Sequence, residues 1–62
     1  MIFKFQELNT KRMVMAKNYQ EAADKLYPGL VLKVYSHSKL KFATVIIYRT
    51  ESNIERHTIY KL

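Results

Sequence analysis

The chain has no cysteine, one glycine, one proline and only five carboxylates among its 62 residues. Without cysteine there is no disulfide and no thiolate metal site, and a reducing cytoplasm is the compatible compartment. A single glycine, Gly29, excludes a glycine-rich phosphate loop. Two histidines and five carboxylates are a thin supply of metal ligands or acid–base groups. No apolar run reaches the length of a bilayer span. The opening MIFKFQEL lacks the basic region and long apolar stretch of a signal peptide. The expectation is a cytoplasmic protein that engages no membrane, metal or cofactor.

What is present is basic and compact. Eleven Lys and Arg against five Asp and Glu give a formal charge of +6. Such a field attracts nucleic acid, acidic proteins and anionic surfaces alike. With 48% hydrophobic and 26% charged residues the profile is that of a folded domain rather than a disordered tail. No linker or repeat divides the chain, so one domain is expected over residues 1–62. A chain this short buries only about 60% of the surface its unfolded form exposes. It therefore depends on close packing, self-association or a partner surface.

NYQEAADKLYPG, residues 18–29, is predicted as the one helix. Asn18 is an N-cap, and Glu21 sits where a capping-box carboxylate reaches back toward the first turn. Tyr19, Ala22, Ala23 and Leu26 share a face, while Gln20, Glu21, Asp24 and Lys25 share the other. Pro28 disfavours helical geometry at Tyr27, and Gly29 supplies the reversal.

Period-two alternation marks strands on both sides of the helix. Residues 1–8 and 13–16 form a predicted hairpin, with Phe3 and Phe5 on one face. Residues 30–35 make a third strand, 41–49 a fourth and 54–62 a fifth. Ser36-His37-Ser38-Lys39-Leu40-Lys41 reads as the basic loop between the third and fourth. The fold class is α+β: an antiparallel sheet of four to five strands with one helix packed on one face, in the order β-β-α-β-β-β. The expected core is Phe3, Phe5, Tyr19, Ala22, Ala23, Leu26, Leu30, Leu32, Val34, Val45, Ile47 and Ile59.

The fourth strand is apolar on both faces, with Ala43, Val45 and Ile47 on one and Phe42, Thr44, Ile46 and Tyr48 on the other. Such a strand belongs in a sheet covered on two sides, yet a single helix covers only one. The uncovered face is expected to present Lys33, Tyr35, Phe42, Thr44, Ile46, Tyr48, Arg56, Thr58 and Tyr60. Tyr and Phe interleaved with Lys and Arg suit stacked bases and phosphates. Aromatics also suit a protein interface or a second copy of the chain. The candidate contacts are Lys33, Tyr35, Tyr48, Arg49, Arg56 and Tyr60, with Lys39 and Lys41 adding charge from the loop and Ser36 and Ser38 adding hydroxyls. Lys11, Arg12 and Lys17 form a further basic cluster. His37 and His57, with Ser36, Ser38 and Glu55 nearby in sequence, do not have the spacing of a catalytic constellation. No catalytic residue is assigned, and no enzyme is expected.

Residues 3–26, FKFQELNTKRMVMAKNYQEAADKL, run strand, turn, strand ending in alanine, then Asn-x-x-Glu-Ala-x-x-Lys-Leu. This stretch resembles small accessory proteins of bacteriophages and mobile elements, among them the anti-CRISPR inhibitors of the type I-F kind. The resemblance is one of layout and carries no site residue across. It implies a phage-encoded helix-on-sheet protein that binds and inhibits or modulates a host protein or nucleoprotein complex. Direct DNA or RNA binding and a structural homodimer are the alternatives.

Overall fold

A computed structural model describes residues 1–37 and 39–62. Asn18 caps α1 (Tyr19–Leu26) through Oδ1, which accepts the Glu21 amide at 2.8 Å. The Glu21 carboxylate turns back to the Lys17 amide at 3.4 Å, one residue ahead of the usual capping-box partner. It also lies 3.5 Å from Lys25 Nζ, an exposed pair one helical turn apart that adds little. Tyr27, ahead of Pro28, leaves helical geometry at φ −130° and ψ 68°, while its N–H still donates to the Ala23 carbonyl. Gly29 then turns through the left-handed region at φ 73°, where a side chain is strained.

Five strands complete the chain: β1 (Phe3–Glu7), β2 (Met13–Ala16), β3 (Val31–His37), β4 (Phe42–Thr50) and β5 (Asn53–Lys61). All pair antiparallel in one sheet of spatial order β2-β1-β5-β4-β3. The class is α+β, a five-stranded antiparallel sheet with one helix. The last strand sits at the centre of the sheet, where it joins the N-terminal hairpin to the β3–β4 pair. This closure is long-range, setting Gln6 opposite Tyr60 and Glu7 opposite Ile59.

The helix lies across one face. Ala22, Ala23 and Leu26 are buried against Phe5, Ala16, Ala43, Val45, Ile47 and Ile59. Alanine on both the helix and the strands keeps the layers close, and the Phe5 ring meets Tyr19 edge-on at 5.0 Å. Phe3, Tyr19, Leu30 and Val34 pack at the margin of this core. Among the described residues, no helix is long and apolar enough to cross a membrane, which has no bearing on strands.

Two expectations change. Leu32 was expected in the core and is instead 57% exposed. The register of β3 shifts between Val31 and Lys33, so Leu32 is the extra residue of a bulge and Val31 takes the inward position opposite Ile47. Ser36 and His37, expected in the loop, continue β3 and pair with Ala43 and Phe42. Ser38 lies outside the described residues. In β2, where Met and Val or Ala alternate without naming a face, Val14 and Ala16 turn inward and both methionines are exposed.

Candidate functional site

Side chains alternate across a pleated sheet, so the ladder registers define the face opposite the helix row by row. One row runs Met13, Gln6, Tyr60, Phe42, His37. The next sets Thr58, Thr44 and Tyr35 side by side. Then come Arg56, Ile46 and Lys33, and last Ile54 beside Tyr48. Tyr35 is 47% exposed and Tyr48 38%, and Met13, Met15 and Ile54 are exposed as well. The Lys33 ammonium lies 4.8 Å from the centroid of the Tyr35 ring, a cation–π contact within the face. Tyr60 is half-buried and donates its hydroxyl to Gln6 Oε1 at 3.1 Å.

No carboxylate occupies this face among the described residues. Glu21 and Asp24 are on the helix, Glu51 is in the turn after β4, and Glu7 and Glu55 align with inward-facing Ile59 and Ile47. Four of the five acidic groups are therefore on the helix side and Glu51 is in a turn, leaving the bare face aromatic, aliphatic and cationic.

The structure brings five of the candidate contacts together: Lys33, Tyr35, Tyr48, Arg56 and Tyr60 share the bare face. Lys39 and Lys41 lie at the β3–β4 turn at one end of it, with Lys41 in the left-handed region at φ 57°. Arg49 is apart from them. It occupies the register shift between Tyr48 and Thr50 and donates through Nη2 to Glu55 Oε1 at 3.2 Å, toward the helix side.

Sequence reasoning missed a polar cluster under the end of the helix. Glu7 is 1% exposed and accepts from the Asn9 amide at 3.2 Å and from both the amide and the hydroxyl of Thr10. His57 Nδ1 is 3.6 Å from Glu7, while Nε2 donates to Glu55 Oε1 at 2.9 Å. The Tyr27 ring stacks at a tilt on the imidazole, centroids 4.9 Å apart. The signal in sequence was Glu7 falling on the same parity as Phe3 and Phe5, two residues before the turn donors Asn9 and Thr10.

Burial pushes the Glu7 carboxyl up, but the hydrogen bonds from the Thr10 hydroxyl and amide and from the Asn9 amide outweigh it and hold the pKa below the usual range. Hydrogen bonds from His57 and then Arg49 lower Glu55 in the same direction. Burial, followed by the Glu7 charge, raises the Tyr27 phenol to about 12. The two carboxylates address opposite nitrogens of one imidazole and so do not converge on a point. Among the described residues, no group of three or more His, Asp or Glu is placed to hold a metal ion. The cluster fixes the β1–β2 turn to the centre of the sheet. No protein family, curated protein or solved structure matches this chain.

Proposed function

We propose that this chain is a non-enzymatic binding domain whose bare sheet face takes single-stranded nucleic acid. The observation that carries the reading is the sorting of charge: Tyr35, Tyr48, Lys33 and Arg56 share a face from which every carboxylate is excluded. Rings on a sheet offer stacking worth about 1–3 kcal/mol per base, and flanking cations meet the phosphates. A homodimer through this face would bring the cations of both copies, Lys33 and Arg56, into one interface with no carboxylate of that face to pair them. The layout resemblance of residues 3–26 extends the proposal: a phage-encoded inhibitor acting in the host cytoplasm would meet a host nucleoprotein complex at its exposed strand.

The test is fluorescence anisotropy with labelled single-stranded and duplex oligonucleotides over a range of salt. The reading predicts preference for the single strand and an affinity that falls steeply as salt rises. Absence of binding at low salt overturns it. Equal affinity for a duplex of the same length removes the stacking role.

A further inference from the structure

The bare face is not uniformly tall. Thr44 and Thr58 stand opposite each other on β4 and β5, and threonine is the smallest side chain the face carries. Larger groups surround the pair: Tyr35 beside Thr44, Phe42 and Tyr60 in the row on one side, Ile46 and Arg56 in the row on the other. On the Tyr35 side of Thr44 lies an open hollow of about 510 Å³, lined by Tyr35, His37, Thr44, Ile46, Ile54 and Arg56 and not by Thr58. That volume falls within the range of small-molecule sites, roughly 300–1,000 Å³. Its lining combines an aromatic ring, an aliphatic floor, groups able to meet a base edge, and a guanidinium.

The geometry points to a seat for one nucleotide, which rests on the reading of this face as a single-strand surface and gives that surface its unit of recognition. The base lies against Tyr35 and Ile46. Its polar edge meets the Thr44 hydroxyl, which both donates and accepts, and the His37 imidazole. The phosphate meets Arg56, whose planar fork suits phosphate oxygens. A second hollow of about 460 Å³, lined by Ser36, His37, Lys39 and Leu40, shares His37 with the first. A strand leaving the seat on that side therefore runs toward Lys39. Thr44 accommodates all four bases, so the seat selects for an unpaired nucleotide and not for sequence. A paired base cannot enter, because its edge and faces are already occupied in the duplex.

The test titrates isotope-labelled protein with each of the four ribonucleoside 5′-monophosphates, followed by NMR, with inorganic phosphate as the control. Saturable shifts are expected at the Tyr35, Thr44 and Arg56 amides, and phosphate at the same concentration does not reproduce them. Thr44→Leu fills the hollow without changing charge and weakens mononucleotide binding about tenfold, the scale of one stacked base. Tyr35→Ala, on an edge strand and outside the core, produces a comparable loss and serves if Thr44→Leu does not fold. If oligonucleotides bind the wild type but mononucleotides leave the hollow unshifted, or both variants bind them as the wild type does, the seat is overturned and the face stands. If neither ligand binds, both fall.

Discussion

Lys33 and Arg56 flank Ile46 from its two neighbouring strands, so two cations bracket the middle of the bare face with no acidic group between them. Neutralising both tests whether they meet phosphates. Lys33→Gln with Arg56→Gln is expected to weaken single-strand binding and to flatten the dependence of log K on log salt by about 0.7 for each lost phosphate contact. Anisotropy titrations at several salt concentrations read the slope directly. An unchanged slope places the phosphates elsewhere.

Glu7 links the sheet to acid stability. Its folded-state pKa lies below the ordinary 4.5, so the unfolded chain binds this proton more readily than the folded one. The stability it contributes is complete above 4.5 and is lost as pH falls through the folded-state value. Urea denaturation at stepped pH should show a falling midpoint on the acid side. Glu7→Gln, which weakens the acceptor for Thr10 and Asn9, should cost about 1–3 kcal/mol at neutral pH and leave a flatter acid limb.

Tyr27 acts at the opposite end of the scale. It is 7% exposed, and its pKa rises from 10.0 to about 12. The folded state therefore holds the phenolic proton more tightly than the unfolded chain. This contribution is complete below pH 10 and is lost as pH rises through about 12. The Tyr27 hydroxyl has no hydrogen-bond partner among the described residues, so Tyr27→Phe should cost little at pH 7. The variant should lose less stability than the wild type between pH 10 and 12, as read by circular dichroism.

The bulge in β3 gives a contrast between two leucines. Leu26 is 2% exposed beneath the helix, whereas Leu32 projects from the bulge. Leu26→Ala is expected to cost about 2–5 kcal/mol, enough to unfold a domain this small. Leu32→Ser should stay within about 0.5 kcal/mol of the wild type. Comparable losses from the two substitutions in thermal denaturation contradict the register described here.

Much of this architecture could be read from local pattern. The helix was legible because Asn18, Glu21, Pro28 and Gly29 mark its two ends independently of tertiary contacts. Strands β4 and β5 were legible through alternation, and the apolar second face of β4 announced a surface that one helix leaves uncovered. The order of strands was not, because the pairing of β1 with β5 spans nearly the whole chain and has no local signature. The bulge at Leu32 was equally silent: LVLKVY alternates cleanly, and one extra residue turns Leu32 outward and Val31 inward. Arg49 followed the basic pattern in sequence, but its placement depends on Glu55, a partner visible only once β4 and β5 are in register. The hollow beside Thr44, lined from β3, β4 and β5, needed that same register.

Mapping the contact surface is the most direct test of the central claim. Isotope-labelled protein titrated with a short single-stranded oligonucleotide at low salt should show its largest amide shifts at Lys33, Tyr35, Thr44, Tyr48, Arg56 and Tyr60, with α1 unperturbed. Shifts concentrated on Gln20, Asp24 and the rest of the exposed helix face, or no shifts at all, would contradict it.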